Sequence, residues 1–212
     1  MAKMRTRYVC QNCGTVASRW FGRCTGCEEW NTCVEEILAG DSAPKVGPAM
    51  LRDVPRPITE IDGNPEERVT TGVGELDRTL GGGIVPGSAV LVGGDPGIGK
   101  STLLLQGVGQ LALAGLKVLY VSAEESAAQI KMRSHRVGAL SENLLLVSES
   151  NLHHICEHIG DLNPTAVVVD SAQTIFHPDL TSAPGSVSQV RECAAKLVNV
   201  AKTMGNTLFL VG

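Results

Sequence analysis

The sequence predicts an α/β protein: a mostly parallel sheet with helices on both faces, preceded by a small cysteine-rich module. From about residue 67 onwards, short apolar stretches alternate with helical stretches, which is typical of parallel sheets whose connecting helices cover both faces. Ahead of that region, four of the seven cysteines form two Cys-x-x-Cys pairs, a pattern that indicates a metal site.

The five predicted strands are short and apolar, as is typical of strands buried on both faces. They cover residues 88–94, 117–124, 144–149, 165–170 and 207–212, and the helical segments lie near residues 100–114, 125–137, 151–161 and 187–204. The last strand runs to the end of the sequence, and a domain seldom stops inside a buried strand. We therefore expect an α/β core that is incomplete at its C-terminus; the alternative is a short terminal strand at the sheet edge.

The chain divides into three predicted segments. Residues 1–37 form the cysteine-rich module, residues 38–66 a linker with five of the ten prolines, and residues 67–212 the α/β domain. Five basic residues and no acidic residue precede Glu28, so the module could present a local basic patch. Charge alone, however, favours an ordinary solvated surface.

Charge and hydropathy exclude two classes of protein. The formal net charge of −4 argues against nucleic-acid binding through general positive charge. No apolar run reaches the roughly 18 residues needed to span a membrane, and the basic N-terminus lacks the apolar segment of a secretory signal. We therefore expect no membrane association and a cytoplasmic location, where thiols stay reduced.

The segment GDPGIGKS follows a predicted strand and opens a predicted helix. It matches the phosphate-binding pattern Gly-x-x-x-x-Gly-Lys-Ser in the context that this pattern requires. Glycines let backbone N–H groups turn towards phosphate oxygens, the helix N-terminus attracts negative charge, and the lysine can reach the terminal phosphates of ATP. The predicted residues of this loop are Gly94, Asp95, Pro96, Gly97, Ile98, Gly99, Lys100, Ser101 and Thr102.

Carboxylates follow two of the later strands. Asp170 ends the apolar stretch AVVVD, at the strand end where ligands bind in open α/β sheets. Together with the hydroxyl of Ser101 it is predicted to hold Mg²⁺; the alternative is an aspartate that caps the next turn. Glu124 and Glu125 end the second strand, where one of them could orient or deprotonate an attacking water. The alternative for this pair is the start of a helix, where acidic residues are also favoured.

The spacing of Cys10, Cys13, Cys24 and Cys27 lets four thiolates converge on one ion. Four sulfur ligands leave no open position, so we favour a zinc-ribbon or rubredoxin-like module with structural Zn²⁺. Iron in the same tetrahedron is the rival metal, and a redox dithiol is a weaker alternative. A closed site of this kind does not need Cys33 as a fifth ligand.

Four of the seven aromatic residues lie in the module. A unit this small cannot bury a large core, so we favour packing of the rings beside the metal over stacking on nucleic-acid bases next to Arg19 and Arg23. The four residues are Tyr8, Trp20, Phe21 and Trp30.

The segment HHICEH contains a second group of potential metal ligands. His154 and His158 stand four residues apart, a spacing that is compatible with a shared ion on one helix face. The segment otherwise has the pattern of an ordinary amphipathic helix between two strands, and we favour that interpretation.

Taken together, the motifs resemble the RecA/KaiC/DnaB branch of P-loop ATPases, and more closely one bacterial DNA-repair family within that branch. The likeness covers the whole chain. It includes the four-cysteine module, the phosphate loop and the stretches TTGVGELDRTLGGGIVPGS (70–88), VLYVSAEES (118–126), VVVDSAQT (167–174) and SAPGSVSQVREC (182–193).

The resemblance implies a RecA-like core that uses ATP and Mg²⁺, with Lys100 at the phosphates and Glu124 as the likelier of the two catalytic glutamates, ahead of Glu125. It also implies a homo-hexameric, DNA-dependent, helicase-type motor on single-stranded or branched DNA that promotes branch migration in recombinational repair beside the RecA recombinase. The loop and helix start at 177–191, including Arg191, would face DNA; a plain surface loop is the alternative. The other functions that we keep open are a KaiC-like regulatory ATPase and a non-catalytic protein-interaction module.

Overall fold

The computed structural model describes residues 5–38, 57–60 and 68–212 of the chain. Apart from residues 38 and 57–60, the predicted linker lies outside the described residues. Residues Ile58–Glu60, which belong to this linker, form one turn of 3₁₀ helix. Two separate sheets are present in the described part of the chain, one of three strands and one of five.

The cysteine-rich module contains the three-stranded sheet. Its strands are β1 (Arg5–Cys10), β2 (Val16–Ala17) and β3 (Cys33–Leu38), in the order β2-β1-β3. Both pairings are antiparallel, and β1 pairs with β3 along its whole length, from Arg5 opposite Leu38 to Cys10 opposite Cys33. Sequence analysis did not predict these strands, because cysteine and charged residues obscure their alternation of apolar and polar positions.

The second part of the chain is an α/β domain with a parallel sheet. In chain order its elements are α1 (Gly74–Thr79), β4 (Ala89–Val92), α2 (Lys100–Leu113), β5 (Val118–Ser122), α3 (Ala127–Arg136), β6 (Leu144–Ser148), α4 (Leu152–Leu162), β7 (Ala166–Asp170), α5 (Val187–Met204) and β8 (Thr207–Val211). All five predicted strands and all four predicted helices are confirmed, with ends within two residues of the prediction. The short helix α1 was not predicted.

The sheet order β4-β8-β7-β5-β6 brings distant parts of the sequence together. All four pairings are parallel, so the carboxyl ends of the strands lie along one edge of the sheet. The last strand, β8, lies between β4 and β7. The alternative that it is a terminal edge strand is therefore wrong.

Two apolar cores flank the sheet, because successive side chains of each buried strand point to opposite faces. On one face, Leu119 and Val121 of β5 pack with residues of α4 and α5, such as Ile155 and Leu197. On the other face, Val118 and Tyr120 of β5 pack with residues of α2 and α3, which include Leu104, Leu105, Val108, Leu111 and Ile130. The predicted arrangement of helices on both faces is confirmed.

The prediction that all five strands are buried is wrong for the two edge strands. Along β4 exposed and half-buried residues alternate, and Leu91 is 72% exposed. In β6 four residues are half-buried and the last is exposed. An edge strand has only one neighbour in the sheet, so its apolar side chains meet fewer partners than those of β5, β7 and β8, whose residues are all buried.

Within the described part of the chain, no helix combines the length and the apolar character that crossing a membrane requires.

A buried glycine lets α2 pack closely against the chain after α3, and its substitution tests that packing. A methyl group at Gly109 would clash with the Cβ of Ala139, so the neighbouring backbone would have to move. We expect Gly109→Ala to lower the free energy of unfolding by about 1–3 kcal/mol, as overpacking does, measured by urea denaturation. The matched control is Gly160→Ala on α4, where nothing lies within 4 Å. It should instead raise stability by about 0.5 kcal/mol through helix propensity; equal effects of the two substitutions would contradict the packing.

Candidate nucleotide site and metal centre

A cavity of about 540 Å³ lies at the carboxyl ends of the central strands. Its wall consists of residues from the phosphate loop and the start of α2, from the ends of β5, β7 and β8 with the residues that follow them, and from α3. They are Gly94, Pro96, Gly97, Gly99, Lys100, Ser101, Thr102, Glu124, Glu125, Arg133, Asp170, Ser171, Gln173, Val211 and Gly212. The structure thus brings the predicted nucleotide and catalytic residues to one cavity, with the exception of Asp95 and Ile98. The side chain of Ile98 is 69% exposed.

The phosphate loop takes a backbone form that requires glycine. Gly94, Gly97 and Gly99 have φ values of 152°, 79° and 101°, which side-chain-bearing residues rarely adopt. Gly99 precedes the first residue of α2, and no side chain caps that helix. The N–H groups of the first turn are therefore available to an anion, which the positive end of the helix dipole also favours.

Lys100 lies over the loop that precedes it. Its Nζ donates hydrogen bonds to the carbonyl oxygens of Gly94 at 2.6 Å and Asp95 at 3.1 Å. These two carbonyls are weaker partners than phosphate oxygens for an ammonium group. The side chain is therefore already held beside the loop, with partners that a nucleotide can replace.

Asp170 ends β7 and is 7% exposed. Its Oδ2 accepts a hydrogen bond of 2.7 Å from the hydroxyl of Tyr120, a residue of the neighbouring strand β5. Burial and the charge of Asp170 raise the pKa of Tyr120 well above its usual value, so this hydroxyl remains a donor. Tyr120 therefore fixes one carboxylate oxygen of Asp170 and leaves the other oxygen for a second partner.

Glu124 is oriented by the residue after Asp170. The hydroxyl of Ser171 donates a 2.5 Å hydrogen bond to Oε1 of Glu124, and the peptide bond between Asp170 and Ser171 is cis. Glu124 is exposed on the cavity wall. One residue thus links the two strand ends that carry the predicted metal-binding and catalytic carboxylates.

Glu125 has a different environment from Glu124. Its Oε1 lies 2.5 Å from Nη2 of Arg133 on α3, and the two side chains are only 29% and 19% exposed. Arg133 also lines the cavity, and its Nη1 is buried without a hydrogen-bond partner among the described residues. Glu125 is consequently neutralised by an arginine, whereas no ion pair to Glu124 occurs in the described part of the chain.

Short polar side chains fix the turn that carries both glutamates. The hydroxyl of Ser122, the last residue of β5, donates to the carbonyl of Glu125 at 2.7 Å and accepts from the N–H of Glu125 at 3.0 Å. Ser126 then caps α3 in a reciprocal pair with Gln129. Because strand end and helix start are both fixed, the side chains of residues 124 and 125 project from a rigid turn.

The donor set in the cavity fits Mg²⁺. Ser101 and Asp170, the predicted ligands, both line the wall, and they offer a hydroxyl and a carboxylate oxygen. Mg²⁺ prefers oxygen ligands and commonly combines one or two protein oxygens with substrate phosphates. The phosphate loop beside these residues could supply the position for such phosphates.

The loop after β7 keeps three of its serine hydroxyls inside the protein. Ser182, Ser186 and Ser188 are buried, and their hydroxyls bond to one another. Arg191 is exposed, but its Nη2 lies 3.3 Å from the carboxylate of the adjacent Glu192. These hydroxyls serve the internal structure of the loop, and a contact between residues 177–191 and DNA stays a prediction.

In the module, the four predicted cysteine ligands converge. Their sulfur atoms all lie within 4.8 Å of one another, with Cys10 and Cys27 3.7 Å apart and Cys13 and Cys24 3.5 Å apart. Tetrahedral Zn²⁺ with bonds of about 2.3 Å places its sulfur ligands about 3.8 Å apart. The cluster therefore fits a closed Zn²⁺ site, and Cys33 is not part of it.

Burial and hydrogen bonds shift the pKa values of two of these thiols in opposite directions. Burial opposes ionisation of Cys10, but hydrogen bonds from Thr32 and from backbone N–H groups lower its pKa to about 6. The backbone N–H of Glu29 lowers the pKa of Cys27, but burial and the neighbouring Cys13 and Cys10 outweigh it and raise the value to about 11. Zn²⁺ binds cysteine in its thiolate form, so a bound ion would supply the positive charge that compensates these ligands.

The prediction that the module's aromatic residues form its core is wrong for both tryptophans. Trp20 is 62% exposed and Trp30 is 67% exposed. A Cβ atom at Gly22 would lie 3.4 Å from the ring of Trp20 and 3.7 Å from that of Trp30, so the two rings flank this glycine. The buried residues of the module are instead Val9, Cys10 and Cys24, because the metal cluster occupies its centre.

The predicted basic patch is partly neutralised. Nη2 of Arg23 lies 2.5 Å from the carboxylate of Glu28, and its Nε donates to the carbonyl of the same residue. Arg19 is exposed, next to Trp20 in the sequence. The side chains of Lys3 and Arg5 lie outside what the structure describes.

A phosphate loop between a strand and a helix, with carboxylates at the ends of neighbouring strands and a four-cysteine module ahead of it, defines a RecA-like P-loop ATPase core joined to a zinc ribbon. A family model described as KaiC matches residues 69–152, and one described as a rubredoxin metal binding domain matches residues 8–35. The second match supports Zn²⁺ as the metal of the four-cysteine cluster.

Some curated proteins are similar to this chain over its whole length. The DNA repair protein RadA of Halalkalibacterium halodurans is 49% identical over 215 residues, which cover 100% of this chain and 47% of the relative. The same protein of Bacillus subtilis is 49% identical over 222 residues (100% and 47%), and that of Chlamydia trachomatis is 45% identical over 213 residues (99% and 46%). Over its whole length the chain is therefore similar to RadA proteins, and it spans about half the length of the curated relatives that it matches.

Removal of the metal tests the role of the four-cysteine cluster. We expect Cys24→Ser to lose the bound zinc and to unfold the described part of the module, residues 5–38, because its buried residues are few. Residues 68–212, which have their own two cores, should stay folded. Zinc content by mass spectrometry and amide hydrogen exchange measure the two effects.

The matched control for that substitution is Cys33→Ser, which changes a cysteine outside the cluster and should keep one zinc per chain. Equal zinc loss in both variants, or loss of exchange protection throughout residues 68–212 in Cys24→Ser, would contradict the assignment.

The hydrogen bond from Tyr120 to Asp170 can be tested separately. Tyr120→Phe leaves a buried carboxylate oxygen without its donor, so the free energy of unfolding should fall by about 1–3 kcal/mol in urea denaturation. Tyr8→Phe is the control, since the hydroxyl of Tyr8 makes no hydrogen bond within the described residues, and it should change stability by less than about 0.5 kcal/mol. Equal stability of Tyr120→Phe and the unchanged chain would show that the bond contributes nothing.

Proposed function

We propose that this chain binds ATP with Mg²⁺ and that, within the full-length protein, it is the nucleotide-hydrolysing part of a DNA-dependent motor in recombinational DNA repair. The observation that carries the proposal is the meeting of Lys100, Glu124 and Asp170 at one cavity, although they follow three different strands. The relatives named DNA repair protein RadA supply the biological context.

The phosphate loop binds the nucleotide. Backbone N–H groups of the loop would bind the phosphates, and Lys100 would exchange the carbonyls of Gly94 and Asp95 for phosphate oxygens. Arg133 lines the cavity, and its Nη1 has no hydrogen-bond partner among the described residues, so it could turn towards a phosphate oxygen. Ser101 and Asp170 would hold Mg²⁺, which would supply positive charge to offset the charge developing on the phosphates.

Glu124 is the proposed catalytic base. It orients a water molecule for in-line attack on the γ-phosphate and accepts its proton, a role that needs an accessible carboxylate held at a defined angle. Ser171 provides that angle through its 2.5 Å hydrogen bond. Glu125 is a positioning residue in this proposal, because its ion pair with Arg133 occupies the carboxylate.

The proposed contact with single-stranded or branched DNA involves the zinc module. Trp20 and Trp30 expose aromatic rings that both lie close to Gly22, and Arg19 is exposed in the same segment. Exposed aromatic rings beside arginine are suited to stacking on unpaired bases. Assembly of the complete protein into a homo-hexamer, branch migration and action beside the RecA recombinase remain part of the proposal through the family resemblance.

A KaiC-like regulatory ATPase is the second candidate, and the match of residues 69–152 to the KaiC family model favours it. Such a protein would use the same cavity, but its nucleotide state would control partner binding without movement along DNA. The two candidates differ in whether single-stranded DNA stimulates ATP turnover.

Substitutions in the cavity test the proposal at two levels. Lys100→Ala should abolish Mg²⁺-dependent binding of a fluorescent ATP analogue, since the phosphates lose their main positive partner. Glu124→Gln should retain binding but lower ATP turnover by about 100-fold or more, the usual contribution of a general base. Glu125→Gln should lower turnover less.

The control for Lys100→Ala is Lys117→Ala, which removes an exposed lysine bonded to the carbonyl of Leu162 and outside the cavity wall. Nucleotide binding that survives in Lys100→Ala would refute the phosphate site. Turnover that is the same with and without single-stranded DNA would favour the regulatory ATPase over the motor.

A further inference from the structure

Three potential metal ligands meet outside the nucleotide cavity, where α4 begins beside the loop that follows β7. They are His153, His177 and Asp179, and their ligand atoms all lie within 4.8 Å of one another. None of the three lines the nucleotide cavity. The group lies far in sequence from the four-cysteine cluster and contains no thiol.

A short parallel bridge holds the two histidines side by side. Asn151 and Phe176 pair as an isolated β-bridge, with hydrogen bonds from the N–H of Leu152 to the carbonyl of Phe176 at 3.0 Å and from the N–H of Phe176 to the carbonyl of Ser150 at 2.9 Å. His177 follows the bridge on one strand and His153 follows it on the other. Their ring centroids are 5.1 Å apart, with the rings at 73° to each other.

The aspartate completes the group at ligand-like distances. Oδ2 of Asp179 lies 3.5 Å from Nε2 of His153 and 3.8 Å from Nδ1 of His177. Tetrahedral or octahedral ions with bonds of about 2.1 Å place neighbouring ligands about 3.0–3.4 Å apart. The side chains of His153 and Asp179 are 46% and 67% exposed, so they have room to move onto an ion.

One ring nitrogen is already in the form that binds metals. The backbone N–H of Asp179 points at Nδ1 of His177 at 3.3 Å, so this nitrogen acts as the acceptor and carries a lone pair. At 3.3 Å the hydrogen bond is long and weak. An ion could replace it at little cost.

The loop that carries His177 and Asp179 is held in place by a buried side chain. Gln189 is 1% exposed; its Oε1 accepts from the N–H of His177 at 2.8 Å, and its Nε2 donates to the carbonyl of Ser182 at 2.9 Å. This single residue fixes both ends of the segment 177–182 to α5. The ligand positions are therefore preorganised, which raises the affinity that a metal site can reach.

From this arrangement we propose that His153, His177 and Asp179 form a second metal site, specific for a divalent transition metal of the Zn²⁺ type. Two imidazoles and one carboxylate are the ligands that such ions take, and the exposed side of the group leaves positions for water. The bound ion joins the start of α4 to the loop between β7 and α5. It is a surface clamp on that loop, independent of nucleotide hydrolysis and of the zinc in the four-cysteine cluster.

The histidine pair that sequence analysis considered is not the one that the structure brings together. Nδ1 of His154 lies 2.8 Å from the carboxylate of Glu149, away from the group, and His158 is not part of it. The helical spacing of these two residues suggested a site on one helix face. The structure instead pairs His153 with residues of a distant loop.

Cobalt titration tests the site with the four-cysteine cluster already loaded with one equivalent of zinc. One equivalent of Co²⁺ should then bind as the second metal ion of the chain. It should give visible d–d bands without the sulfur-to-cobalt charge-transfer band, because the proposed ligands are nitrogen and oxygen. Zn²⁺ added afterwards should remove those bands. Amide hydrogen exchange within residues 177–182 should slow when the metal binds.

Two substitutions of proposed ligands and one control substitution of a neighbouring histidine complete the experiment. His153→Ala and Asp179→Asn should each weaken Co²⁺ binding by more than about tenfold, since even groups outside the ligand shell change metal affinity by about 10–100-fold. His154→Ala, an adjacent exposed histidine, should bind as the unchanged chain does. Each variant keeps its zinc and its circular dichroism if the fold is intact; a variant that fails this check is replaced by His153→Gln or Asp179→Ala.

Several results would overturn the proposal. The first is that the unchanged, zinc-loaded chain binds no Co²⁺ at all, and the second is that neither His153→Ala nor Asp179→Asn lowers its affinity for Co²⁺. The third such result is that His154→Ala weakens Co²⁺ binding as much as the ligand substitutions do. Cobalt binding without slower exchange in residues 177–182 would contradict the role of the ion as a clamp on the loop.

Discussion

The parallel pairing of β5 with β7 is the constraint on which the candidate nucleotide site depends. In this register Ser122 lies opposite Asp170, so the two strands end together and the residues that follow them are neighbours in space. Tyr120 reaches Asp170 across the pair, and Ser171 reaches Glu124. A change of register by one residue would turn Tyr120 and Asp170 to opposite faces of the sheet and separate the carboxylates from the phosphate loop.

Two adjacent glutamates illustrate how this geometry divides chemical roles. Glu124 and Glu125 are equivalent in the sequence motif, but α3 brings Arg133 to one of them and the end of β7 brings Ser171 to the other. An ion pair occupies a carboxylate, whereas a single hydroxyl donor orients it and leaves it accessible. The proposed assignment of the catalytic base to Glu124 therefore depends on contacts between secondary-structure elements. The resemblance to known ATPases gave only an order of preference between the two glutamates.

The parts of the fold that could be predicted from the sequence are those that depend on residues close together in the chain. Glycine spacing defines the loop before Lys100, and apolar runs define the five strands and the residues that end them. Contacts between distant segments leave no local pattern in the sequence. Tyr120 has the sequence context of an apolar strand residue, and Gln189 that of a polar residue at a helix start. His153 meets His177 only through a bridge between two distant segments. The exposed tryptophans were mispredicted because the four-cysteine cluster, not aromatic packing, fills the small module.

The central claim is that the ends of β4, β5 and β7 form one site for the phosphates of ATP and for Mg²⁺. Its most direct test is an experimental structure with Mg²⁺ and a non-hydrolysable ATP analogue. We predict the β- and γ-phosphates within the loop of residues 94–102, Lys100 turned from its backbone carbonyls to phosphate oxygens, Mg²⁺ beside Ser101 and Asp170, and Glu124 facing the γ-phosphate. Phosphates bound away from this loop, or a metal ion remote from Asp170, would contradict the account.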